Sequence, residues 1–184
     1  MKKSTYIIIA VLVVVLLYGW TTYNGLVTAN IGVDRDWAQV ETQYQRRLDL
    51  IPNLVESVKG IFAQEQAIFT ALANARASYA GATGVNAKAK AAGEVESALS
   101  RLLAIVENYP QLKSSDTVQT LMSQLEGTEN RVSVERKRFN DAIASYNLKT
   151  KRFPSSLIAS LFGFGSRDYF EAAAGAENAP QVSF

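Results

Sequence analysis

Three charged residues, Glu65, Glu129 and Arg136, fall where the helical repeat of this 184-residue chain assigns inward-facing positions. Paired carboxylates can do hydrolytic acid–base work, and polar groups inside a bundle can line a ligand pocket or an oligomer contact. The same residues can also simply pair across helices, because a buried ion without a partner is strongly unfavourable. Pairing that fixes helix register is the default expectation. His and Cys are both absent, which removes the commonest general base, the commonest transition-metal ligand and the most nucleophilic side chain. The chain also lacks G-x-S-x-G, S-x-x-K, P-loop and G-x-G-x-x-G patterns. The sequence therefore points away from an enzyme, and no metal or cofactor is expected.

Nineteen basic and 17 acidic residues leave a net charge of +2, with no basic stripe carrying interleaved aromatics. Nucleic acid is not an expected partner. Two further polar groups, Arg46 and Arg47 with Asp49, and Asn108 with Tyr109 and Pro110, sit at predicted helix junctions. Capping or solvation accounts for them there without a ligand.

The elements that must hold these residues read as helices. Apolar side chains recur at spacings of three and four through Val33, Trp37, Val40, Tyr44, Leu48, Ile51, Val55, Val58, Phe62, Phe69 and Leu72, with the charged Glu65 at the place between Phe62 and Phe69. The alternation falters between Val40, Tyr44 and Leu48, just before Pro52, so a break is expected there, one kinked rod being the alternative. Asp49 can cap at that break and Pro52 suits a first turn. Ala80 to Gly93 reads as a connector leading into a helix. Val95, Leu99, Leu102, Val106 and Tyr109 then repeat until Pro110, and Asp116 can cap the last helix. That helix keeps a four-three register through Val118, Met122, Leu125, Glu129, Val132, Arg136, Phe139, Ile143, Tyr146, Thr150 and Phe153. No stretch alternates with period two. The expected fold is all-α, an antiparallel up-and-down four-helix bundle over 24–153 with helices about 24–50, 53–79, 86–108 and 116–152.

Ahead of these lies the unbroken apolar run Tyr6 to Trp20. Extended to Ser4 and Tyr23 it gives twenty residues, which at ~1.5 Å each match a hydrocarbon thickness of about 30 Å. Tyr6 near one end and Tyr18, Trp20 and Tyr23 near the other suit the headgroup layers. The competing reading is a cleaved leader ending near Val27-Thr28-Ala29. A retained anchor over 1–23 is the expectation, with the lipid bilayer as partner. Lys2 and Lys3 against Arg35, among Asp34 and Asp36, favour an inner-membrane protein with its amino terminus inside and its bundle outside, on the periplasmic side. The aromatic segment 154–170 either caps the bundle or lies in the headgroup zone, and 171–184 is expected to be a flexible tail.

Specific strings along the chain resemble the LemA family. They are YNGLV from Tyr23, Trp37, RRLDLIPNLVESVKG from Arg46 to Gly60, Ala75-Arg76, and ENYPQLK from Glu107 to Lys113. LEGTENR from Leu125 to Arg131, Arg138-Phe139-Asn140, Tyr146-Asn147, Phe153-Pro154 and the FGF and YF strings complete the set. The polar and junction positions these matches single out are Trp37, Arg46, Arg47, Asp49, Pro52, Asn53, Asn108, Tyr109, Pro110, Lys113, Asn130, Arg131, Asn140 and Asn147, as structural or interaction residues. Where the family often has Tyr and then His-Glu, this chain has Ile61 and Gln64-Glu65, so any role of that His is lost. The resemblance implies a bacterial protein with one amino-terminal span and a four-helix bundle, relatives among magnetosome membrane proteins, and no established catalytic activity. The resulting expectation is a non-enzymatic envelope scaffold or interaction module that forms a homo-oligomer. An adaptor for another envelope membrane protein, such as a protease or transporter, and a small-ligand sensor are the alternatives.

Overall fold

The computed structural model describes residues 3–60 and 66–170. Among these the chain is all helical, without strands. Helix α1 spans Lys3–Lys59, α2 Gln66–Gly81, α3 Val85–Asn108, the one-turn α4 Pro110–Lys113, α5 Asp116–Lys151 and α6 Ser155–Leu161. Beside the sequence reading, α3 and α5 start and stop within a residue of 86–108 and 116–152, whereas the expected first break is not there. Helix α1 runs through Pro52 without interruption for 57 residues.

The reason is energetic. A proline inside a helix costs about 3 kcal/mol through its missing donor and its clash with the preceding turn. Ile51, Leu54 and Val58, around and beyond it, are 3%, 0% and 0% exposed, and burying each contributes ~1.5–3 kcal/mol. Burial of that face wins. Most of the segment read as a connector is helical too, since α3 begins at Val85. Gly84 precedes it at φ +79°, a conformation that L side chains rarely adopt.

The helices divide into two compact units, Met1–Ala38 with Lys137–Asp168, and Gln39–Arg136 with Tyr169–Phe184. In the first unit Leu26, Val33, Phe139, Ile143 and Tyr146 are buried, and the rings of Trp37 and Phe139 lie 5.1 Å apart. The apolar run of α1 is otherwise bare: it is one helix long and apolar enough to cross a membrane, with none of its apolar window covered by protein. In the second unit α2 packs on α3, and Tyr44, Leu48, Leu54, Leu72, Leu99, Leu102, Leu125 and Val132 are among the core residues. Helix α5 follows its four-three register closely, with Val118, Leu125, Val132, Phe139, Ile143, Tyr146 and Thr150 all buried. Phe153 departs from it. It lies past the end of α5 and is 75% exposed.

Candidate functional site

The polar centre of the second unit is built on Arg47, in the carboxyl-terminal third of α1 and 7% exposed. The junction expected at Arg46, Arg47 and Asp49 does not exist. Arg46 is exposed, and Asp49 is an exposed mid-helix residue accepting a 2.8 Å hydrogen bond from Gln45 Nε2. Arg47 points inward instead, because it occupies the turn between Tyr44 and Ile51, both core residues. Its Nη1 pairs with Glu129 of α5 and stands 3.8 Å from Oε1 of Glu96 on α3. That nitrogen sits out of line for a hydrogen bond to either carboxylate, so the attraction is that of an ion pair. Arg136 of α5 places Nη1 3.6 Å from the same Glu96 oxygen, and its guanidinium lies 4.4 Å from the centre of the Phe170 ring. Two arginines and two glutamates thereby balance one another.

Two tyrosines continue this centre. The Tyr44 hydroxyl donates to Glu96 Oε1 at 3.0 Å, and its ring is 5.3 Å from that of Tyr79. Burial raises the Tyr44 pKa far above the usual phenol range, and the Glu96 charge adds to the rise while Arg136 and Arg47 oppose it. Burial likewise raises Tyr79, helped by Glu41. The Tyr79 hydroxyl has no hydrogen-bond partner among the described residues. Glu41 pairs with Lys88, whose ammonium stands 5.3 Å from the Tyr79 ring. Such an arrangement holds these protons and charges in place. Among the described residues no group of three or more acidic side chains is placed to hold a metal ion.

Of the three inward charges read from the sequence, Glu65 lies outside the described residues. Glu129 and Arg136 each pair across helices, but Glu129 is not a core residue, its side chain being 46% exposed. The buried ion is Arg47. Glu96 went unsingled in the sequence although it shares a three-four stripe with Ala89, Ala92 and Leu99, which are all buried. Small residues beside a glutamate on an inward stripe were the available signal.

The first unit holds a second polar construction. Asn147 is buried on α5 and grips the backbone of Arg167 twice, donating from Nδ2 to its carbonyl at 2.9 Å and accepting its N–H at 2.8 Å. The Arg167 side chain pairs with Asp34 and reaches Asn30 Oδ1 at 3.5 Å, both on α1. Close by in sequence, Tyr23 packs against Phe162 and Phe164 at 4.8 and 5.8 Å between ring centres. Tyr6 and Trp20 are exposed.

The remaining sites are peripheral. Asn108, Tyr109 and Pro110 are exposed at the joint between α3 and α4, where Asn108 Nδ2 donates to the Ala104 carbonyl at 3.0 Å. Lys113 ends α4. Asn53, Asn130 and Arg131 are exposed, and Asn140 and Trp37 are half-buried. Pro52 borders a cleft of about 180 Å³ with Ile51, Val55, Glu56, Phe69 and Arg76.

The model of the LemA family matches residues 36–184. The chain belongs to the LemA family. It is 28% identical to "Magnetosome protein MamQ 2" of Paramagnetospirillum magneticum and 30% identical to "Magnetosome protein MamQ" of Magnetospirillum gryphiswaldense. The matches cover 81% and 80% of this chain and 64% of each relative, so the chain spans less than two thirds of the curated relatives' length. The resemblance read from DLIPNLV and ENYP thus identifies the family correctly. In this LemA chain those strings serve the helices: DLIPNLV buries Ile51 and Leu54 inside α1, and ENYP ends α3 and opens α4.

Proposed function

We propose that this LemA-family chain is a non-enzymatic, membrane-anchored interaction protein that self-associates through its helical part. The observation that carries the reading is α1 itself: its apolar portion is wholly uncovered, while the same helix continues into packed, charge-balanced structure. An uncovered run of that length is far larger than the patches soluble proteins tolerate. Within the second unit we read α1, α2, α3 and α5 as an antiparallel four-helix bundle. Contacts of Tyr44 with Tyr79 and Glu96, and of Arg47 with Glu129, support that arrangement. The charges at its centre are spent on each other, which favours a register-fixing role over catalysis. Lys2 and Lys3 favour a cytoplasmic amino terminus and a periplasmic bundle at the inner membrane. The match to a family with relatives named as magnetosome proteins, names that state no activity, agrees with a structural role.

The test is the particle mass of the full-length protein extracted with native lipid, beside a version starting at Thr28. A defined assembly in both places the contact in the helical part. Monomers in both overturn self-association and favour an adaptor, which co-purification of an envelope partner would then reveal. A ligand sensor is a weaker reading, because the cleft at Pro52, about 180 Å³, is below the ~300 Å³ of the smaller ligand pockets, and the larger depression of about 560 Å³ is lined by Asp116, Gln119, Thr120, Ser123 and Gln124, exposed side chains of the single helix α5. Glu129 and Arg136 do not border it.

A further inference from the structure

The segment Phe153–Phe164 carries large apolar side chains that the fold does not use. Leu157 and Leu161, four residues apart and so on one side of α6, are 62% and 75% exposed, and Phe153 and Phe162 at its two ends are exposed as well. The other side of α6 is occupied. Ala159 is buried, and a Cβ built on Gly19 of α1 would stand 3.8 Å from Ile158 Cδ1. Phe162 and Phe164 flank Tyr23. Helix α6 is therefore seated beside residues 19–23 of α1, where the uncovered apolar run gives way to Trp20 and Tyr23. Its own bare face continues that run.

Between Asp141 and Asp168 the charges along the chain are all basic, although Arg167 is taken up by Asp34. From Ala142 to Arg167 the sequence holds Lys149, Lys151, Arg152 and Arg167 and no acidic residue, and the first three are exposed. Phe153, Leu157 and Leu161 facing outward, with Phe162 part-exposed beside Tyr23, bordered by cations and abutting the end of a span, match an element that lies in the plane of a bilayer interface. A partner protein would need acidic complementarity and would have to approach at headgroup level.

We propose that α6 with its flanking Phe153 and Phe162 is a second membrane element. It lies in the interface beside the carboxyl end of the α1 span, with Leu157 and Leu161 in the acyl boundary and Lys149, Lys151 and Arg152 on headgroup phosphates. The occupant of the bare face is lipid. The proposal rests on α1 crossing the membrane, and the experiment separates the two claims. Because the chain has no cysteine, single replacements Leu161→Cys, Leu12→Cys and Glu126→Cys in the full-length protein can each carry one environment-sensitive fluorophore. In nanodiscs of phosphatidylglycerol and phosphatidylethanolamine, nitroxide lipids with the quencher near the headgroup or deep in the chain report depth.

The Leu161 label should lose roughly half its emission to the shallow quencher and less to the deep one. The Leu12 label should respond to the deep quencher and the Glu126 label to neither. A Leu161 label as indifferent as that at Glu126, with Leu12 quenched, overturns the interfacial α6 and leaves the span intact. Indifference at Leu12 as well removes both. A blue-shifted but unquenched Leu161 label means that protein, such as a second copy, covers the face, and likewise overturns the proposal.

Discussion

Arg47 carries more of the second unit's electrostatics than any residue read as inward-facing from the sequence. It is buried, while its partners Glu129 and Glu96 keep some contact with water. The two sides of the cluster therefore differ in their response to deletion. Arg47→Met leaves carboxylates that can rehydrate, and should cost about 1–2 kcal/mol. Glu96→Gln with Glu129→Gln leaves a buried guanidinium without a counter-charge, and should cost ~3 kcal/mol or more. Thermal melting of the full-length protein in micelles, followed by circular dichroism, checks the order, and an equal loss in both would contradict it. The tyrosines make a second prediction. An unfolded tyrosine loses its proton near pH ~10, whereas burial holds the protons on Tyr44 and Tyr79 to higher pH. Above about pH 10 the folded state binds more protons than the unfolded one, so stability is flat below that pH and falls above it. Tyr79→Phe should flatten the alkaline fall. It should change neutral-pH stability by less than ~1 kcal/mol, since the hydroxyl it removes has no partner among the described residues.

At the scale of elements, the sequence was legible wherever apolar side chains carried the periodicity, and misleading where a charge stood in for one. Counted with Arg47 in place, Val33, Trp37, Val40, Tyr44, Arg47, Ile51, Leu54 and Val58 alternate four and three without a fault. Leu48 is buried beside that row, and counting it in place of Arg47 creates an apparent stutter that Pro52 close by turns into a plausible break. The long register of α5 was readable because only Glu129, Arg136 and Thr150 interrupt its apolar positions. Contacts such as Asn147 to the Arg167 backbone were beyond reach, since an amide's partners twenty residues away have no local signature. Two predictions belong to these elements. Pro52→Ala should restore a helical donor and stabilise α1 by ~2 kcal/mol, the ~3 kcal/mol helix penalty less the unfolded-state entropy that proline removes. A higher urea midpoint is the readout, and a lower one would mean that the helix depends on a kink there. Asn147→Asp keeps an acceptor for the Arg167 N–H but loses the donor to its carbonyl. Hydrogen exchange at residues 165–169 should accelerate about tenfold or more, given ~1.5 kcal/mol for the lost bond; unchanged exchange would show that Asp34 alone holds the segment.

For the molecule as a whole, the feature with the widest reach is the sequence distance spanned by the closure of the first unit. Arg167 pairs with Asp34 across 133 residues, and the bare apolar stretch of α1 precedes both. A ribosome adding about 5–20 residues per second needs roughly 7–27 s to travel from one to the other. With α1 anchored as proposed, it would already be in the bilayer during that interval, while Leu26 and Val33, buried in the finished protein, still lacked the α5 and α6 residues that share their unit. Biosynthesis is then an ordered event, attachment first and closure last. Its vulnerable window lies at the membrane surface, where unsatisfied helices from neighbouring nascent chains would meet one another before they meet their own carboxyl ends.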